Sequence, residues 1–308
     1  MSLSRSVLLR ASRSSWLASQ MRERAFARRA VRRFMPGERA ADALDAAVAL
    51  GGQGIGAVLT SLGERVATAA EADAVCAHYR ELLELVRARG VSAHVSVKLT
   101  HLGFDLDADA CLCRLRTLAE HAHAVGTWLW VDMEESGYVD TTLGLYRRLR
   151  AEWEHVGVCL QAYLRRTPAD LEALLPLGAA VRLVKGAYEE PPAVAFARKR
   201  DTDAAYLELA ERLLVAARGG GVLPVFGTHD VALLERIRAR ALALGCAPNA
   251  YEVHMLYGIK TAEQRALASR GVPVRVLISY GRHWFPWYMR RLAERPANVW
   301  FVVRQLVG

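Results

Sequence analysis

Eight short β-prone runs, spaced by helix-patterned segments, constrain this chain more than any other feature. They are IGAVLTSL (55–62), AHVSVKL (93–99), WLWVDME (128–134), GVCLQAYL (157–164), AVRLVKG (180–186), VLPVFGTH (222–229), AYEVHML (250–256) and PVRVLIS (273–279). Between them Ala, Leu, Arg and Glu recur at helical spacing, most clearly over 71–89 and 202–218. Strand and helix alternating eight times over about 250 residues is the pattern of an α/β protein built as a TIM-like (β/α)8 barrel. A doubly wound open sheet is the alternative. GGQGIGA (51–57) does not favour it, because a dinucleotide fingerprint needs a strand before it and a helix after it. Here the helical ADALDAAVAL precedes and a strand follows. The glycines therefore read as a helix cap and an αβ loop.

The bulk numbers narrow the class further. The chain has 308 residues and is 53% hydrophobic, enough for a large core. No apolar run is long enough to span a bilayer. Five scattered cysteines, Cys76, Cys111, Cys113, Cys159 and Cys246, fit a reducing compartment and no disulfide framework. The net charge of +9 is local: residues 1–40 hold ten arginines and two glutamates, which is +8. So the basic character belongs to a helical N-terminal arm (1–40), followed by the barrel domain (41–308), and it does not indicate nucleic-acid binding. Such an arm can touch anionic lipid, pack on the barrel or act as a targeting peptide. The expected location is cytoplasmic, with the inner membrane face as a peripheral docking site.

The strand ends carry the chemistry, since a barrel's active site lies at the C-terminal ends of its strands. Lys98, Asp132, Glu134, Gln161, Arg182, Lys185, Thr228, His229 and His254 all sit there. Arg182 and Lys185 interrupt the apolar VRLVKGAY, and each is costly to bury without an anionic or electron-poor partner. Asp132 can pair a barrel cation or orient a substrate amine. Lys98 and Lys185 are two of only four lysines. Either could form a Schiff base, which supports an aldolase reading, or bind a carboxylate or flavin. Arg290 and Arg291 stand about 100° apart on a helix, which suits a planar carboxylate gripped from two directions. Glu294 lies one turn from Arg290, and Trp287 one turn before Arg291. HAH (121–123) places its histidines on different helix faces, and no H-E-x-x-H or C-x-x-C occurs, so no metal is expected.

Several blocks, in order, resemble the FAD-dependent proline dehydrogenases of the monofunctional bacterial type: VSVKLTHLG, VDMEES, QAYLRRT, VRLVKGAYEEP, FGTHD, YEVHMLYG and YGRHWFPWYMRRLAERPANV. FMPGERAADAL and LGERV extend the likeness, which covers residues 30–304. The resemblance implies a distorted (β/α)8 barrel that binds FAD without a Rossmann motif. It implies oxidation of L-proline to Δ1-pyrroline-5-carboxylate, with hydride passing from proline C5 to flavin N5 and electrons on to membrane quinone. It also implies hand-off of the product to a separate pyrroline-5-carboxylate dehydrogenase. Matched to the family's blocks, Arg182, Val184, Lys185, Gly186, Gln161, Met133, Thr228 and His229 hold the cofactor. Asp132, Lys98, Leu183 and Tyr188 line the substrate pocket, with Asp132 and Arg182 catalytic. Arg290 and Arg291 hold the proline carboxylate, and Glu294 is spaced to hold Arg290 in place. The sequence departs from the family at two positions facing the substrate ring, where Leu277 and Trp287 stand for Tyr. These departures leave 4-hydroxyproline or another cyclic secondary amine as alternative substrates. Gly227 stands for Ala, Asp230 for Asn and His254 for Gln.

Overall fold

The computed structural model describes residues 31–294, with side chains as far as Met289. The eight strands are β1 (Gly56–Ser61), β2 (Ala93–Val97), β3 (Leu129–Val131), β4 (Val156–Gln161), β5 (Ala180–Val184), β6 (Leu223–Gly227), β7 (Glu252–Leu256) and β8 (Val274–Tyr280). All pair in parallel, each with its sequence neighbour, and β8 closes on β1 through six aligned residue pairs. The expected barrel is therefore the observed one. Seven of the eight runs are trimmed by two to four residues, mostly at the C-terminal end, and the eighth keeps its length one residue further on. The polar groups that follow β2, β3 and β5 consequently lie in loops above the strands.

Nine α-helices occur among the described residues. They are α1 (Ala40–Gly51), α2 (Ala69–Ala88), α3 (Ala108–Ala124), α4 (Val139–Arg150), α5 (Thr167–Glu172), α6 (Lys199–Arg218), α7 (Val231–Ala243), α8 (Thr261–Ala268) and α9 (Trp284–Glu294). Local chemistry sets their starts. The Thr68 hydroxyl accepts from the Glu71 amide, and Asp107 accepts from the Asp109 and Ala110 amides. Pro286 sits in the first turn of α9, where a missing N–H loses no helical bond, so the helix runs through it. GGQGIGA behaves as a helix end: Gly51 closes α1, and Gly54 takes φ +71° to turn the chain into β1.

Strand alternation sorts the side chains. Ala57, Leu59, Val95, Val97, Val131, Val158, Leu160, Leu183, Phe226, Met255, Val276 and Ile278 join the apolar layer between sheet and helices. The opposite parity fills the lumen. That assignment follows from contacts across the barrel: Ser96 of β2 meets Arg182 of β5, and His94 of β2 meets His254 of β7. Neither pair of strands is adjacent, so only the interior allows these contacts. The lumen is unusual in being filled by aromatic and charged groups where branched aliphatics are common. Residues 31–39 pack on the barrel before α1 begins. Val31 and Met35 are buried, and the Trp284 indole donates to Glu38 at 3.1 Å. All five cysteines are free. No helix among the described residues is long and apolar enough to cross a membrane.

Candidate active site

The two cations of VRLVKGAY have different fates. Arg182, 5% exposed, reaches into the lumen. Its Nη2 donates to the Ser96 hydroxyl at 2.8 Å and ion-pairs with Asp132. Its guanidinium carbon lies 5.0 Å from the centre of the Trp130 ring. Lys185 lies beyond the strand end. It donates to Asp203 of α6 at 2.5 Å and to Asp230, the cap of α7, at 2.8 Å. Lys199 joins the same two carboxylates. The charge of Lys185, expected beside the cofactor, is thus met within the chain.

Asp230 serves two neighbours at once. Oδ1 accepts from the Leu233 amide at 3.3 Å to cap α7, and Oδ2 takes Lys185. The Lys185 hydrogen bond, assisted by that cap, holds this carboxyl down to about 2, against an ordinary 3.8. A folded value below the unfolded one stabilises the fold above the unfolded pKa and loses that contribution as the pH falls. Asp230→Asn keeps the cap but loses the charge. We expect it to lower stability by about 1–2 kcal/mol at neutral pH, with the difference closing between pH 4 and pH 2. Urea unfolding across that range checks this.

Around the mouth, side chains tie the strand-exit loops together. Glu134 is buried and accepts from the Thr100 hydroxyl at 2.6 Å and the Thr100 amide at 3.1 Å. Burial pushes its carboxyl above the usual range. Lys98 bonds Glu64 at 2.8 Å, joining the loops after β1 and β2. Arg65 reaches Glu135 at 3.0 Å, and the Ser136 amide and hydroxyl donate to Glu190 at 2.6 and 2.5 Å.

Gln161, at the end of β4, is buried. Its Nε2 donates to the Glu134 carbonyl at 3.2 Å, and its Oε1 has no hydrogen-bond partner. A buried amide oxygen in that state is costly unless a ligand N–H meets it. Gly186 follows β5 with φ +108°, and a Cβ there would run into the Tyr163 ring. A Cβ at Gly227 would press on Val184. These glycines keep the backbone bare beside the exits of β5 and β6.

The remaining expected residues divide. Val184 and Leu277 face the lumen, each partly exposed. Thr228 is buried and its hydroxyl accepts from the Asp230 amide at 3.2 Å. His229 Nε2 accepts from the Leu256 amide at 2.8 Å, which joins the exits of β6 and β7. Met133 belongs to the apolar core, and Tyr188 is half-buried in the loop after β5. Trp287 is buried on α9. Leu183 is a correction. It faces the helices, with the Tyr206 hydroxyl donating to its carbonyl at 2.8 Å, and it cannot wall a pocket at the mouth. The side chains of Arg290, Arg291 and Glu294 lie outside the described residues.

Below Arg182 lies a layer of side chains among which the sequence singles out His254 and not its neighbours. The Trp130 indole donates to His94 Nδ1 at 3.1 Å. His254 Nε2 pairs with Glu252 at 3.0 Å, and Glu252 also takes Arg275 at 3.1 Å. Burial holds His254 down to about 4 and His94 well below its ordinary value, so both are neutral at pH 7. His94, Glu252 and His254 bring possible metal-ligand atoms within 4.8 Å of one another. Their hydrogen bonds favour a different reading. An indole nitrogen only donates, so neutral His94 carries its proton on Nε2 and has no free lone pair. Glu252 is already shared by His254 and Arg275. The cationic Arg275 and Arg182 add to the field against a metal ion.

The family profile described as Proline dehydrogenase matches residues 43–304. The proline dehydrogenase of Deinococcus radiodurans is 37% identical over 280 residues, covering 89% of each chain. Proline dehydrogenase 1 of Bacillus subtilis is 33% identical over 276 residues, covering 90% of each. Among solved structures, proline utilization A from Bdellovibrio bacteriovorus, inactivated by N-propargylglycine, superposes with a TM-score of 0.81 at 22% identity. It matches 94% of this chain, which spans 36% of that larger one, and at this identity the likeness concerns the fold.

Proposed function

Since this chain belongs to the proline dehydrogenase family, we propose that it oxidises L-proline to Δ1-pyrroline-5-carboxylate with FAD as its cofactor and a membrane quinone as final acceptor. The observation that carries the FAD reading is Gln161 Oε1, a buried acceptor without a donor at the end of a barrel strand. The flavin ring presents one N–H, at N3, when oxidised and gains another at N5 on reduction, donors of the kind this oxygen lacks. The bare backbone at Gly186 and Gly227 suits close approach of a flat ring, and Arg182 is a fixed cation beneath the mouth. Gln161, Val184, Gly186, Thr228 and His229 would hold the group. Lys185 would act indirectly, by bracing the starts of α6 and α7.

Bound FAD supplies the two-electron acceptor for the hydride leaving proline C5. The protein's own residues do the rest. Arg182 favours negative charge developing at the mouth, and Asp132 keeps that guanidinium in place. Arg290 and Arg291 grip the proline carboxylate, with Glu294 beside them, as the family resemblance implies. Proline must react with its nitrogen unprotonated, because that lone pair helps expel the hydride. Lys98 and Tyr188 border the space for the ring, and Leu277 gives it an apolar wall.

That wall bears on substrate choice. An apolar surface accepts the ring methylenes of proline and disfavours a hydroxyl without rejecting it outright. L-proline should therefore exceed trans-4-hydroxy-L-proline in kcat/KM by about 10- to 100-fold. Trapping the pyrroline product from each substrate, with a dye as electron acceptor, tests both the reaction and the preference. A reversed preference would shift the assignment to hydroxyproline, and no product from either would refute it. The product is expected to pass to a separate pyrroline-5-carboxylate dehydrogenase. The basic segment expected as an arm over 1–40 packs on the barrel from residue 31 onward, and the arginines ahead of that point offer a peripheral contact with the cytoplasmic membrane face.

A further inference from the structure

We propose that Trp130 and His94 are positioning residues for Arg182, an indole floor locked by a buried imidazole that sets the tilt of the guanidinium below the barrel mouth. The catalytic consequence rests on the FAD reading above, but the geometry does not.

The bonds of Arg182 show why a floor is needed. Its two hydrogen bonds to oxygen, to Ser96 and to Asp132, come from the single nitrogen Nη2, and the Cys159 sulfur on the neighbouring strand is a weaker third contact. Two bonds at one corner fix a point and leave the plane free to pivot about it. The face of Trp130, 5.0 Å from the guanidinium carbon, supplies the missing constraint. An indole can constrain a neighbour only if it is itself fixed. Trp130 is fully buried, and its N–H is engaged by His94 Nδ1 at 3.1 Å. Gly157 on β4 is the matching hollow, since a Cβ there would run into the Trp130 ring. His94 is 3% exposed and lies near Trp128 and His254 as well as Trp130. The chain of control therefore runs from His94 through Trp130 to Arg182, and it requires the His94 proton to sit on Nε2.

Two measurements test this. Long-range proton–nitrogen correlation on labelled protein reads the His94 tautomer without any cofactor. The expected result is a proton on Nε2 and a bare Nδ1. A proton on Nδ1 would overturn the proposal. In the flavin-loaded enzyme, Trp130→Leu should lower kcat about tenfold or more with KM nearly unchanged. The flavin midpoint potential should fall with it, by about 30 mV for a tenfold weaker preference for the reduced ring. Trp130→Phe keeps a ring face and should lose about threefold. His94→Gln retains an acceptor for the indole and should stay close to wild type, whereas His94→Leu should behave like Trp130→Phe. The His94 pair and Trp130→Phe decide the matter even if Trp130→Leu does not fold. Equal behaviour of the two His94 variants, or a wild-type potential in both Trp130 variants, would contradict the positioning role. The expected tautomer in a protein that takes up no flavin would refute the FAD reading and leave the geometry standing.

Discussion

Arg182→Met is expected to lower kcat about 100- to 1,000-fold, the loss typical of removing a fixed charge aimed at the reacting centre. It should also destabilise the fold by about 3–5 kcal/mol, because Asp132 would be left partly buried without its cation. The two effects can be separated. Asp132→Asn in the same chain removes the orphaned charge, so the double variant should recover much of the stability and none of the rate. Urea midpoints and stopped-flow flavin reduction read the two quantities independently. Recovery of the rate along with stability would mean that Arg182 only supports the fold.

Arg291→Met is expected to raise the KM for proline about 100-fold while FAD stays bound, the size expected when one partner of a hydrogen-bonded charge pair is cut back. The reasoning is geometric. The α9 backbone is helical through Glu294, so consecutive residues 290 and 291 leave the axis about 100° apart. Two guanidinium groups so placed converge only on something between them, and a carboxylate offers two oxygens for that purpose. Flavin reduction at low proline should slow steeply and recover at saturating proline. Unchanged reduction at low proline would remove Arg291 from the substrate site.

Much of the barrel was legible in the sequence because each strand advertises itself through local composition. Strand lengths were less so, since Lys98, Asp132 and Lys185 are compatible with a strand or with the loop above it. Leu183 is a case where the sequence held the answer. If Arg182 and Val184 face the lumen, the residue between them must face the helices, and the family match obscured that alternation. The partners of Lys185 were not legible: Asp203 and Asp230 lie 18 and 45 positions away, and the parallel pairing of β5 with β6 brings the starts of α6 and α7 to it. His94, Trp130, Glu252 and His254 carried a faint signal. Trp130 shares the parity of Asp132 and His94 that of Lys98, but a single sequence does not say which rung of one strand faces which rung of another.

The most direct test is an anaerobic visible spectrum of the purified full-length protein before and after addition of L-proline. The account predicts a yellow protein whose flavin band bleaches on mixing, at a rate that saturates with proline. A colourless protein, or a yellow one that proline leaves oxidised, would contradict it.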